Sequence, residues 1–254
     1  MLSILGPAKT IDTSAHGITE ISTPPAYLEH SEELVELLRQ YSPDALKELM
    51  KVSDKLATLT FERYAAWRTT HKGKGTQQAI LAFSGEVFNG LKARSLEEAD
   101  LEFAQEHVRI LSGLYGVLRP LDGIHPYRLE MGTGLENRNG RKLYDFWKDL
   151  IPARITEDTA SQENPVLINL ASNEYFKSIQ PRSFVHRIIT PVFKESHGNG
   201  YRNVTIYAKK ARGMMLRFII KNRICEPTYL KAFDEEGYGF NTHLSGKDEW
   251  VFTR

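Results

Sequence analysis

The stretch Val166-Leu167-Ile168-Asn169-Leu170-Ala171-Ser172-Asn173-Glu174-Tyr175-Phe176-Lys177 decides the fold. Residues 166–170 are apolar with one polar interruption and no alternation, so they read as a fully buried strand. Ser172 then stands where a helix N-cap belongs, because a serine hydroxyl accepts an N–H from the first helical turn. A buried strand that feeds a helix is the basic step of α/β architecture. The chain opens in the same way, with residues 1–5 as a buried strand that stops at Gly6-Pro7.

Working outward, strands are expected at 79–83, 184–189, 192–194, 203–207 and 250–253, with a short extended piece at 126–131. Helices are expected from Ser31, with Leu34, Leu37 and Leu38 on one face, and from Ser42-Pro43, with proline in the first turn. Two further short helices fit 53–57 and 60–67. Ser95-Leu96-Glu97-Glu98 has the form of a capping box. The helix it opens should run to about residue 111 and stop at Gly113. Residues 144–151 and 208–223 complete the helices. Strands and helices alternate irregularly. The expectation is a mixed α/β (α+β) protein with a central mixed sheet surrounded by helices, one domain over 1–254, and not a regular parallel barrel.

Composition narrows the chemistry. The chain has 254 residues, enough for one large domain or two small ones. Its single cysteine, Cys225, excludes an internal disulfide framework and cysteine-based zinc or iron–sulfur sites. Cys225 lies near Arg223, so it is either a thiol of lowered pKa or a bland buried one. No stretch approaches the run of about 18 apolar residues that a membrane helix needs. The apolar start lacks a basic lead and a cleavage pattern. A cytoplasmic protein with no membrane contact is expected.

The net charge of +1 conceals a block. Residues 177–223 carry 11 basic side chains and one acid, Glu195, whereas the segments on either side are net negative. A block this one-sided suits a polyanion or a phosphate-bearing ligand. Alternatively, acidic helices from the first half fold over it.

No phosphate-binding Walker loop, dinucleotide turn or His-Glu-x-x-His is present. The eight histidines, at 16, 30, 71, 107, 125, 186, 197 and 243, show no metal-ligand spacing, and no metal or cofactor is expected. Ser84-Gly85-Glu86 and Ser112-Gly113-Leu114 lack the flanking glycine of a nucleophile elbow.

Four segments crowd polar residues beside structural breakpoints. Lys9, just past the first strand, lies where open α/β sheets place ligands; it is equally a surface lysine on a turn. In Ser112-Gly113-Leu114-Tyr115-Gly116, two glycines three apart make a reversal whose N–H groups can hold a phosphate, or a plain helix C-cap. Arg128 and Glu130 fall on one face of an extended piece, as a structural pair or as cleft lining. Ser172 and Glu174 open one helix. Lys209, Lys210 and Arg212 open another, giving either an anion site or a solvated helix end.

At these segments the sequence resembles the YaaA family of bacterial peroxide-stress proteins. The matching stretches are Gly6-Pro7-Ala8-Lys9-Thr10, Ser53-Asp54-Lys55-Leu56-Ala57 and Leu111-Ser112-Gly113-Leu114-Tyr115-Gly116-Val117-Leu118-Arg119-Pro120-Leu121-Asp122. Others are Pro126-Tyr127-Arg128-Leu129-Glu130-Met131-Gly132, residues 169–177 and Tyr207-Ala208-Lys209-Lys210-Ala211-Arg212-Gly213. The likeness spans the chain and departs at Gly6, where serine is expected. It implies a cytoplasmic protein that limits peroxide damage by keeping unincorporated iron low. It also implies double-stranded DNA binding without sequence preference, in a positively charged groove. The family-specific fold it implies carries a helix–hairpin–helix-like element.

Two functional expectations follow. In the first, Lys9, Lys177, Lys209, Lys210, Arg212 and Arg217 contact DNA phosphates, and Gly113 and Gly116 form a backbone-binding hairpin. In the second, a cleft holding Lys9, Lys55, Tyr115, Arg119, Arg128, Glu130, Ser172, Glu174 and Lys209 takes a small phosphorylated or carboxylated compound, as an enzyme would. No catalytic residue is assigned. Direct iron binding by carboxylates and histidines is a third, weaker reading.

Overall fold

The structure is a computed structural model that describes residues 1–12 and 19–254; His16 lies outside the described residues. In chain order, the first elements are β1 (Leu2–Leu5), β2 (Thr10–Ile11), α1 (Leu28–Arg39), α2 (Pro43–Met50) and α3 (Asp54–Ala66). Then come β3 (Gln77–Gln78), α4 (Ala79–Ala82), β4 (Phe83–Ser84), α5 (Glu86–Leu91) and α6 (Glu98–His107). The middle of the chain supplies β5 (Val108–Ser112), β6 (Gly116–Leu118), β7 (Gly123–Ile124), α7 (Leu143–Phe146) and α8 (Leu150–Ala160). β8 (Val166–Asn169), α9 (Asn173–Phe176), β9 (Arg187–His197), β10 (Gly200–Arg202), α10 (Thr205–Lys221), β11 (Gly239–Phe240) and β12 (Glu249–Thr253) complete it.

The main sheet runs β11-β12-β9-β8-β1-β5-β6, with β10 paired to β9. Its centre is parallel: β12 with β9, β9 with β8, β8 with β1, and β1 with β5. The edges β11 and β6 are antiparallel. This is the expected mixed sheet. Every residue of β1, β5 and β8 is buried, as mostly apolar runs in a sheet covered on both faces require. Arg109 of β5 is the one charged residue in these three strands. Its Nε donates to Asp158 of α8 at 2.7 Å, with side chains only 7% and 8% exposed.

Several local expectations change. The two helices expected at 53–57 and 60–67 are one, α3, because Ala57, Thr60 and Tyr64 keep a single buried stripe across the expected break. Residues 79–82 make a helical turn, not a strand. A short buried apolar run fits either state. The helix opened near Ser95 begins at Glu98, where the Asp100 carboxylate accepts the Glu97 N–H at 2.9 Å. It ends at His107, and Val108 turns directly into β5 because the run to Leu111 pairs with β1. Residues 126–131 join no ladder. Tyr144 and Ile151 lie in two separate helices, α7 and α8. The pieces at 184–189 and 192–194 fuse into the long strand β9. The strand expected at 203–207 is absent, since α10 already starts at Thr205.

The reversal at Gly113 and Gly116 joins two strands, β5 and β6, and is buried throughout. The N–H groups of Leu114 and Tyr115 donate to Ser112 Oγ at 3.2 and 2.9 Å. Gly116 has φ +67°, and a Cβ there would lie 2.8 Å from the Trp147 ring. Trp147 in turn donates its indole N–H to the Gly113 carbonyl at 2.9 Å. The expected phosphate-holding hairpin is therefore a closed β-turn whose donors are used internally.

The other two tryptophans are equally enclosed. Trp67 Nε1 donates to Tyr115 Oη at 2.8 Å, and Trp250 Nε1 donates to the Lys247 carbonyl at 3.3 Å. Against this frame α10 packs on α5 through two glycines. A Cβ on Gly213 would stand 1.8 Å from the Val87 carbonyl oxygen, and one on Gly90 would stand 2.1 Å from that of Lys210.

Candidate functional site

β1 and β8 are parallel neighbours whose onward connections diverge. From β1 the chain reaches β5 on one side; from β8 it reaches β9 on the other. Where connections part in an open sheet, a crevice forms beyond the carboxyl ends of the strands, and ligands bind there. A cleft of about 580 Å³ opens at this place. Gly6 to Thr10 leave β1 into it, and Leu170 to Tyr175 leave β8 into it. The start of α5, the loop Tyr127-Arg128-Leu129-Glu130, and Lys209 and Arg212 of α10 close the walls.

Seven expected residues meet here: Lys9, Arg128, Glu130, Ser172, Glu174, Lys209 and Arg212. Glu130 Oε1 accepts from Arg128 Nη2 at 3.0 Å and lies 3.2 Å from Lys9 Nζ. Both readings of the Arg128–Glu130 pair hold, since it is an ion pair and also lines the cleft. Tyr64 donates its hydroxyl to the Arg128 carbonyl and so fixes the loop. Glu174 Oε1 accepts the Gly132 N–H at 2.9 Å. Ser172 occupies the N-cap position of α9 with extended backbone, but its hydroxyl makes no capping bond.

Arg212 is the group with most charge left over. It is half-buried and has no hydrogen bond or ion pair among the described residues. Burial lowers its pKa from the ordinary guanidinium value. Arg128 Nε is likewise buried without an acceptor. A guanidinium without an ion-pair partner in a partly desolvated cleft gains from an incoming acceptor. Lys209, one turn before Arg212 on the same face of α10, is exposed and has no acid partner among the described residues.

The remaining expected residues lie elsewhere. Lys210 faces Glu236 at 2.5 Å. Arg217 donates to the carbonyls of Leu91 and Lys92 at 3.2 and 3.3 Å. Lys177 is exposed and outside the cleft. Lys55 is exposed on α3. Arg119 pairs with Asp122 at 3.3 Å. Tyr115 is buried; its hydroxyl accepts from Trp67 and from the His125 N–H at 3.0 Å. Burial pushes its pKa up. α10 starts three residues earlier than expected, so Lys209, Lys210 and Arg212 sit along its first turns and not at its tip.

Tyr127, Tyr175 and Glu86 also line the cleft, and the sequence reading passed over them. Both tyrosines lay inside quoted motifs, but an aromatic beside a turn reads as core. Glu86 gave no signal, because α5 has only six residues and no repeating pattern. A second hollow of about 480 Å³ lies by Ile80, Phe88, Lys92 and Arg94, and of its two cations Arg94 is already paired with Asp12. No three histidine, cysteine, aspartate or glutamate side chains gather as a metal site among the described residues. No helix among them is long and apolar enough to cross a membrane.

Fold and cleft together define an open-sheet α/β protein with a charged cleft at its topological switch point. The chain belongs to the family described as peroxide stress protein YaaA, whose sequence profile matches residues 1–244. It is also similar to UPF0246 protein RSc2009 of Ralstonia nicotianae. The two are 47% identical over 254 residues, which is 100% of this chain and 99% of that one.

Proposed function

We propose that this peroxide-stress family protein acts by binding an anionic ligand in the switch-point cleft. The carrying observation is Arg212, a half-buried guanidinium lining the cleft with no hydrogen bond or ion pair among the described residues. The gathering of seven expected residues in one hollow favours a small compound over a flat phosphate-binding surface. Direct evidence of turnover is not needed for this reading, and no catalytic residue is assigned.

A second reading, duplex DNA bound without sequence preference, draws on a different observation. Lys177, Arg182, Lys194, Arg202 and Lys209 have no acid within ion-pair distance among the described residues. In that reading the protein occupies DNA and limits the damage done by unincorporated iron.

Thermal unfolding with added inorganic phosphate, pyrophosphate and citrate tests the first reading. A ligand at a hundred times its Kd stabilises by about 2.7 kcal/mol, which moves the midpoint by several degrees. We expect such a shift for the intact chain and none for Arg212→Gln. Equal shifts in both proteins would place the anion elsewhere.

A further inference from the structure

Resting on that anion-binding reading, we propose that the ligand is a nucleotide: a nucleoside monophosphate unit, free or carried on a nucleic-acid strand. Three features of the cleft must be matched at once.

One is a cationic pole. Arg212 and Lys209 share a face of α10 and have no acid partner among the described residues. They suit a phosphate, which accepts from a guanidinium in pairs.

Another is a pair of acceptors. Glu130 spends Oε1 on Arg128 and Lys9, and Glu174 spends Oε1 on the Gly132 N–H. In each, Oε2 makes no hydrogen bond among the described residues. An ionised carboxylate accepts only, so the ligand must bring N–H or O–H donors to these oxygens. A small oxyanion brings at most its own hydroxyl and is repelled by them.

The last is an apolar body. Pro7, Leu129, Leu170, Tyr127 and Tyr175 give the cleft a carbon-rich lining. A flat ring stacks favourably on such a surface. The volume, about 580 Å³, is that of a small-molecule site and far exceeds a phosphate. A sugar phosphate lacks the flat body, and an aromatic carboxylate lacks the donors. A nucleotide carries all three.

Titration calorimetry on the full chain at low salt tests this. The probes are four nucleoside monophosphates, their parent nucleosides, ribose 5-phosphate and inorganic phosphate. We expect the best monophosphate to bind about tenfold or more tightly than its nucleoside, ribose 5-phosphate or phosphate, the scale of one charge-assisted contact. Arg212→Gln should bring that monophosphate to the level of its nucleoside and leave the nucleoside unchanged. Glu174→Gln should weaken the nucleoside and tighten inorganic phosphate, because a donor-seeking oxygen and a repelling charge are lost together. Should Arg212→Gln unfold, Lys209→Ala, at an exposed position, takes over the phosphate arm.

A single-stranded tetranucleotide containing 2-aminopurine separates the two sources, because its fluorescence rises when the base leaves the stack. A rise that Arg212→Gln abolishes, without binding of free monophosphates, assigns the strand as the source. Phosphate or ribose 5-phosphate binding within about threefold of the best nucleotide overturns the nucleotide and leaves anion binding standing. No binding by any probe overturns both.

Discussion

Asp100 shows how much one side chain can carry here. Burial pushes its carboxyl pKa up, yet donors from Lys221 at 2.8 Å, the Glu97 N–H at 2.9 Å and Arg223 at 2.8 Å outweigh that and hold it at about 2. In the unfolded chain an aspartate titrates near 3.9. The folded value is the lower, so this stabilisation is complete above the unfolded pKa and disappears as pH falls through both values. It amounts to the order of 2 kcal/mol. Urea unfolding of Asp100→Asn should show a loss of that order at pH 7. It should also show a shallower decline between pH 5 and 2. Parallel pH curves for the two proteins would refute the assignment. At this scale the sequence singled out cations well and their partners poorly. Lys209, Lys210 and Arg212 look alike in one dimension. Only the helical phase of α10 sends Lys210 to Glu236 and leaves the other two at the cleft.

Among the elements, α5 and α10 hold the cleft walls at a fixed spacing. Gly213→Ala gains helix propensity of up to about 1 kcal/mol. It also drives a methyl group into the Val87 carbonyl, 1.8 Å away, and overpacking of that kind costs about 1–3 kcal/mol or more. The clash should win. The variant should melt lower than the parent and bind phosphate or nucleotide more weakly, because Val87 and Arg212 flank the same hollow. A variant that melts higher and keeps its affinity would show that the two helices can part freely. Element types were legible wherever periodicity was long, as in α1, α2 and α10. They were not where an apolar run was short or changed state midway. The step from His107 to Val108 passes from helix to strand without a loop, and no turn residue announces it.

Across the whole molecule, the basic block is partly answered. Asp100, from the first half of the chain, takes Lys221 and Arg223, while Asp248 and Glu236 take Arg187 and Lys210. The reading that acidic helices of the first half fold over the block holds only for α6, through Asp100; the C-terminal acids answer the rest in part and leave a remainder. If that remainder meets duplex DNA, affinity must fall steeply with salt, with a slope of about −0.9 per phosphate neutralised. Fluorescence anisotropy of a labelled duplex should then show Lys177→Ala with Arg202→Ala lowering the slope by about 2. Salt-independent binding, or an unchanged slope, would count against the DNA reading. The mixed sheet was expected from composition and pattern alone. Its strand order was not, because β1 pairs with β5 and β8 across more than a hundred residues, and no local signal encodes such partners. The cleft was legible as a set of residues and illegible as a place for the same reason.

The enclosure of Trp67, Trp147 and Trp250 gives the protein a built-in optical divide. All three indoles sit away from water, at 1%, 0% and 5% exposure, and none lines the cleft. Their emission is that of shielded indole in the native state and shifts to the red only when the core opens. Two tyrosines, Tyr127 and Tyr175, by contrast line the cleft. Tryptophan light therefore reports the integrity of the core, while occupancy of the crevice registers in a different chromophore altogether.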